Sequence, residues 1–181
     1  MFELNWPESA PTLADGDVTL RPWRGADAEA VFRACQDEQI QRWTRVPAPY
    51  LHEHASDFVG ELAAEQWALR MGAPFAVVDG DDELLGSCGL VTIQERDQLG
   101  EIGYWIAPRA RRRGVARRAA ALTARWAFGV GFARLELYVE TENVASCGVA
   151  EAIGARREGV LRSRALQRGA RRDMVVFGLL P

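Results

Sequence analysis

The feature that most constrains the fold is a glycine-bearing turn between a strand and an amphipathic helix. Residues 100–106 alternate as a strand and run through Ala107-Pro108 into Arg109-Ala-Arg-Arg-Arg-Gly-Val-Ala116. A helix follows at once, its Val115, Ala119, Leu122 and Trp126 spaced by four, three and four. That order brings loop N–H groups and the positive end of a helix dipole to one spot, where an anion is favoured. Six arginines between Arg109 and Arg118 add charge. The arrangement suits a phosphate-bearing ligand, and it requires a sheet with a helix packed on it.

The remaining chain supplies the other elements. Residues 17–24 read as a strand with Pro22 hinting at a sheet edge, and 27–40 as a helix bearing Ala28, Val31, Phe32 and Cys35 on one side. Residues 42–50, with Pro47 and Pro49, read as loop, and 52–71 as a second helix stopped by Gly72-Ala-Pro74. Strands over 75–78 and 84–93 flank the turn Asp79-Gly-Asp-Asp82. A strand over 134–140, a short helix over 144–153 and strands over 155–161 and 172–180 complete the order β-α-α-β-β-β-α-β-α-β-β. This is a mixed α/β domain around one sheet. Residues 1–181 are expected to form a single domain, with 1–16 as an N-terminal extension.

At 181 residues and 48% hydrophobic, the chain can bury a substantial core. No apolar run approaches the roughly 18–20 residues of a membrane span, and residues 1–15 lack a signal-peptide pattern. A soluble, cytoplasmic protein with no membrane partner is expected. Cys35, Cys88 and Cys147 form no CxxC pair, and His52 and His54 are the only histidines, so neither a disulfide framework nor a metal site is expected. The net charge of −3 hides an asymmetry: residues 1–100 hold 7 of the 22 arginines but 18 of the 25 acids. Either the two halves face a common cleft or their charges interleave over the surface. There is no lysine, which removes lysine chemistry altogether.

The phosphate loop can be tested against known motifs. GxxxxGK[ST] is absent, and no GxGxxG follows a strand, which argues against nucleoside triphosphate and dinucleotide sites. What stands in place is Arg111-x-x-Gly114-x-Ala116, weak alone but set between a strand and a helix. In that setting it resembles the acetyl-CoA pyrophosphate loop of the GNAT N-acetyltransferases. Leu20-Arg-Pro22, Glu101-Ile-Gly-Tyr-Trp105, Asn143-Val-Ala-Ser146, Glu158-Gly-Val-Leu-Arg162 and Arg172-Asp-Met-Val-Val176 are similar to segments of the RimJ/RimL branch, which acetylates protein N-termini. The resemblance covers residues 18–180. It implies the GNAT acyl-CoA N-acyltransferase fold, a central mixed, mostly antiparallel sheet flanked by helices. It also implies transfer of acetyl from acetyl-CoA, a co-substrate, to an amine in a ternary complex without a metal. Family members often form dimers, so a homodimer is one expectation. Nucleic acid is not expected as a partner, since one basic loop on an acidic protein is a poor electrostatic footprint.

Site residues follow from the same resemblance. Arg111, Arg112, Arg113, Gly114, Val115, Ala116 and Arg117 fall in the pyrophosphate loop, with the N–H groups of 112–117 holding the anion. Arg112 departs from a family pattern that often has glycine there. Tyr104, Trp105 and Ile106 match the strand whose backbone pairs with the pantetheine arm. Asn143 would contact the pantetheine and Ser146 the departing sulfur; both also suit a helix cap, Asn143 at the N-cap and Ser146 at N3. Glu101 is the candidate general base, ten residues before Arg111 as in histone-acetylating members. A structural ion pair is the alternative for it. The glutamate that some RimL-like enzymes carry just past the EGxLR segment is replaced here by Ala165. Trp43, Tyr50, Glu53 and Asp57 lie in the region that shapes the acceptor pocket in this family. His52 and His54 read as surface residues and Cys147 as packing. Besides an N-acetyltransferase for a protein N-terminus or small amine, a catalytically inactive acyl-CoA-binding module stays open.

Overall fold

Apolar residues alternate along the central strands, so each strand presents one set of side chains to either face of a sheet that both faces must cover. A computed structural model of the chain describes residues 4–181. It has eight strands: β1 (Leu13–Asp15), β2 (Val18–Arg21), β3 (Ala73–Val78), β4 (Leu84–Gln94), β5 (Leu99–Ile106), β6 (Arg134–Glu140), β7 (Arg156–Gln167) and β8 (Ala170–Leu179). They form one sheet in the order β1-β2-β3-β4-β5-β6-β8-β7. The helices are α1 (Ala28–Cys35), α2 (Glu38–Trp43), α3 (His52–Asp57), α4 (Ala63–Ala68), α5 (Val115–Val130) and α6 (Val144–Ala152). Phe75 and Val77 of β3, with Ile102 and Tyr104 of β5, join the cluster under α5 and α6. Ala76 and Val78, with Trp105, join the cluster under α1 and α3.

Among the described residues every strand pairing is antiparallel except one. β5 and β6 run parallel and pair only over Leu99, Gly100 and Glu101 with Arg134, Leu135 and Glu136. Beyond Glu136, β6 pairs with β8 alone, and the rest of β5 keeps only β4. The sheet therefore opens between the two strands from Ile102 onward.

Four differences from the sequence reading have local causes. First, residues 4–16 of the expected extension contribute β1 and core groups; residues 1–3 lie outside the described residues. Leu4 is buried, and Trp6 packs 4.7 Å from Trp67 and 5.6 Å from Trp126, centroid to centroid. β2 is consequently paired on both sides, and Pro22 falls just beyond its end. Second, the helix expected over 27–40 breaks at Asp37, whose extended backbone and side chain, accepting from Ile40 N–H at 2.9 Å, start α2 afresh. Third, the helix over 52–71 contains a wider π-helical turn at Phe58–Leu62, with Ala63 N–H reaching Phe58 O. Fourth, β7 and β8 extend to a tight hairpin at Arg168-Gly169, both residues having positive φ. β7 is exposed along most of its length and carries arginines on both sides, so its alternation is hidden in the sequence.

The charge asymmetry resolves as interleaving. Arg109 pairs with Glu83, Arg111 with Asp37, Arg118 with Asp17 and Arg42 with Glu140, each joining one half of the chain to the other. Arg21 of the Leu20-Arg-Pro22 segment is buried and bonds both carboxylate oxygens of Asp27 at 2.9 Å. No helix among the described residues is long and apolar enough to cross a membrane.

Close backbone contact fixes the centre of the sheet. A Cβ on Gly89 of β4 would lie 2.0 Å from the Ala73 carbonyl oxygen of β3. Gly89→Ala is expected to cost about 1–3 kcal/mol or more, because the two strands must separate. A chemical-denaturation midpoint equal to that of the wild type would contradict this reading.

Candidate active site

The opening between β5 and β6 has chemistry on both sides. On the α2 side, Glu101 sits at the last paired position of β5 and faces its register partner Glu136 on β6. A bulge assists: Leu90 pairs with Ile102 but Thr92 pairs with Glu101, which leaves Val91 as an extra residue and sets Thr92 beside the carboxylate. The Thr92 hydroxyl donates to Glu101 Oε2 at 3.4 Å. Arg45, Thr92, Glu101, Glu136, Tyr138 and Arg164 line a cleft of about 170 Å³ at this point.

Its electrostatics are mixed. Burial pushes the Glu101 carboxyl above its ordinary range; Arg45, the Thr92 hydrogen bond and Arg164 oppose the shift, and Glu136 reinforces it. Glu136 accepts from Tyr138 Oη at 2.7 Å and from Arg134 Nε at 2.8 Å, so much of its charge is met. Arg134 also bonds Glu158, which gives the glutamate of the EGxLR-like segment a structural partner. The Arg164 guanidinium lies 5.1 Å from the centre of the Tyr138 ring.

A clasp holds the wall that carries Arg45. At the tip of the β7–β8 hairpin, Gln167 Nε2 donates to the carbonyls of Arg42 and Thr44, each at 2.8 Å. Arg168 donates to the Gln41 carbonyl. From below, the buried Glu140 receives Arg42 Nη1 on both oxygens at 2.9 Å. The loop leaving α2 is thereby fixed across the cleft from β7.

On the opposite face, Tyr104 of β5 and Ser146 of α6 share a 2.6 Å hydrogen bond between hydroxyls, spanning the gap. Asn143 caps α6, its Oδ1 accepting from Ser146 N–H at 3.1 Å. Burial pushes the Tyr104 phenol up to about 12, against the Ser146 hydrogen bond, so it is a neutral donor at physiological pH. Burial, then Glu151, likewise raises the Cys147 thiol, which suits packing rather than nucleophilic attack.

The loop after β5 forms the third part. A short turn at Pro108–Ala110 leads to Arg112 and Gly114, both at positive φ (63° and 74°). The departure at Arg112 therefore puts a bulky residue where glycine would be unstrained. The N–H groups of residues 112–117 meet no acceptor among the described residues, and the next donor is Arg118, to Gly114 O at 3.1 Å. The arginine side chains divide. Arg109, Arg111 and Arg118 are spent on Glu83, Asp37 and Asp17, and Arg111 also bonds the Ile106 carbonyl. The exposed Arg112, Arg113 and Arg117 have no ion pair among the described residues.

The structure thus gathers Tyr104, Asn143 and Ser146 on one side of the gap and Glu101 on the other, with Ile106 and residues 111–117 at its end. Trp105 points to the α1–α3 side. Arg45, Glu136, Tyr138 and Arg164 were not singled out from sequence, and neither was the Tyr104 hydroxyl. Alternation along β6 could have flagged Glu136 and Tyr138 together, but only the register sets them beside Glu101. Tyr50, expected near an acceptor, is buried in the core beside Cys35. His52 approaches Glu29 at 3.4 Å, His54 accepts the Leu51 N–H at 3.0 Å, and neither reaches the cleft. No cluster of three or more His, Cys, Asp or Glu that could hold a metal ion occurs among the described residues.

Comparison with known proteins agrees with this geometry. Residues 17–156 match the acetyltransferase (GNAT) domain. YoaA of Bacillus subtilis (strain 168), an uncharacterized N-acetyltransferase, is 27% identical over 172 residues, spanning 94% of this chain and 97% of that protein. Mycobacterium smegmatis RimJ, solved in complex with CoA-disulfide, superposes with a TM-score of 0.85 at 24% identity, covering 99% of this chain and 90% of that one. The microcin C7 self-immunity acetyltransferase MccE, in complex with acetyl-CoA and AMP, gives 0.87 at 16% identity, covering 98% and 99%. The chain belongs to the GNAT acetyltransferase family. It is an acetyltransferase of that family, and its fold is shared with solved structures of RimL and RimJ.

Asp37 links the helix break to the loop, since it caps α2 and anchors Arg111 at 2.5 Å. Asp37→Ala is expected to cost about 1–2 kcal/mol from the lost cap. Asp37→Asn, which keeps a cap, should lose less, and equal losses in denaturant melts would refute this division.

Proposed function

We propose that this chain acetylates a primary amine by direct attack, with Glu101 as general base and the Ser146 hydroxyl supporting the leaving sulfur. The observation that carries the reading is the pairing of Glu101 on one side of the β5–β6 gap with the Tyr104–Ser146 hydroxyls on the other. The co-substrate fits the residues present. Unmet N–H groups at 112–117 suit a pyrophosphate, and the exposed Arg112, Arg113 and Arg117 add positive charge around it. The edge of β5 that faces the gap offers backbone groups at Tyr104 and the Ile106 N–H to an amide-bearing arm, which Asn143 would flank; the Ile106 carbonyl already receives Arg111. Acetyl-CoA supplies an activated acetyl thioester there.

Glu101 accepts the proton that the attacking nitrogen must lose. Burial raises its pKa, which makes it a better base than an ordinary carboxylate. Ser146 donates a hydrogen bond toward the sulfur as the C–S bond breaks, and the Tyr104 hydroxyl supports that serine. A thiol has a pKa of about 8.5, so a hydrogen bond suffices to ease its departure. The acceptor is best read as a protein α-amine. With a pKa of about 7.7–8.0 it is partly neutral at pH 7, whereas a lysine-type amine near 10.4 asks far more of the base. The structural neighbour RimL, named as a ribosomal L7/L12 alpha-N-protein acetyltransferase, supports the same choice. The likeness to that branch also supports assembly as a homodimer.

Two measurements test the assignments. Catalysis needs ionised Glu101, so kcat/KM should fall as pH drops through a pKa above the ordinary carboxylate value. Glu101→Gln should abolish that acid limb and lower kcat/KM by about 10²–10⁴; an unchanged profile would assign the glutamate to structure. At Gly114 no atom lies within 4 Å of an added Cβ, so φ of +74° is the constraint. Gly114→Val should weaken CoA binding at least tenfold by calorimetry, and unaltered affinity would move the pyrophosphate elsewhere. CoA binding without acetyl transfer to any amine would restore the binding-module reading.

A further inference from the structure

The cleft over Glu101 is bipolar, and its two cations have no role in the chemistry just described. Arg45, on the loop leaving α2, and Arg164, on β7, line the same cleft as Glu101 and Glu136. Neither arginine has an ion-pair partner among the described residues. Both residues are exposed, but each is anchored nearby. Arg164 lies over the Tyr138 ring, and the Gln167 clasp to the carbonyls of Arg42 and Thr44 fixes the residue just before Arg45. Glu136 is already met by Arg134 and Tyr138, which leaves Glu101 as the less satisfied anion.

We propose that the acceptor carries an anionic group a few atoms from its amine, with the amine directed to Glu101 and the anion held between Arg45 and Arg164. The proposal rests on Glu101 being the base and deepens that reading by naming the acceptor class. An acceptor bearing only an amine would bring a further positive charge beside the two guanidiniums, with Glu101 and Glu136 the only anions lining the cleft, and a polycation would be repelled by them. The cleft has room for on the order of ten waters, enough for a single residue-sized group. Arginine's planar fork suits a carboxylate on either wall. The same chemistry comes from two sources: a peptide N-terminus with an acidic side chain in its first two residues, or a free amino acid.

The test measures CoA release with matched acceptors. The peptide set is Ser-Asp-Ala-Ala, Ser-Asn-Ala-Ala and Ser-Lys-Ala-Ala, all as C-terminal amides; the small-molecule set is L-serine, L-serinamide and spermidine. The acidic member of one set should exceed its uncharged partner at least tenfold in kcat/KM, and which set shows this identifies the source. Replacing both arginines (R45Q with R164Q) should bring the acid-to-amide ratio to within about twofold. Arg164→Glu should shift the preference toward Ser-Lys-Ala-Ala. Equal rates for acid and amide in both sets, a preference for spermidine, or a ratio untouched by the double replacement would each overturn the proposal. No CoA release with any acceptor would instead overturn the acetyl-transfer reading beneath it.

Discussion

The structure depends on one interruption: β5 and β6 pair over three residues and then part. Parallel neighbours normally run together for their full length, because each unmade rung exposes backbone donors and acceptors. Here β6 takes its later partners from β8, and β5 keeps β4, so each strand stays half satisfied. The opening this creates reaches both faces of the sheet. That is why a carboxylate beside α2 and a hydroxyl pair beside α6 border one gap. A continuous sheet would separate them by its own backbone.

The arginines divide by task in a way the loop's composition conceals. Arg109, Arg111 and Arg118 tie the loop and the start of α5 to Glu83, Asp37 and Asp17, all from the acidic half of the chain. These pairs set the course of the backbone rather than meeting an anion. With the loop so fixed, Arg112 and Gly114 hold left-handed conformations, and the N–H groups of 112–117 are left without acceptors. The side chains build the loop, and the backbone is what it offers to a ligand.

The same division explains what was legible in the sequence. The strand–loop–helix and the cap at Asn143 are local, written in glycine placement, helical spacing and one asparagine. Glu101 was legible because its distance from Arg111 along the chain is short. Glu136, Tyr138, Arg45 and Arg164 come from three other segments, and only strand register and the hairpin clasp bring them to Glu101. The break at Asp37 was hidden because Asp is tolerated within a helix, and its role depends on Arg111, 74 residues away. The Arg168-Gly169 turn was a readable hairpin signal, but it sat in an arginine-rich stretch with no clear alternation.

With the acceptor bound as proposed, Arg45 and Arg164 would couple recognition to basicity. Both guanidiniums hold the Glu101 pKa down against the effect of burial. An anion seated between them would cancel part of that field. The Glu101 pKa would then rise, and its carboxylate would become a stronger base at the moment an acceptor amine lies beside it. An uncharged acceptor leaves the field intact and meets a weaker base. Discrimination would then appear in kcat as well as in KM, since the interaction that binds the acceptor also prepares the group that removes its proton.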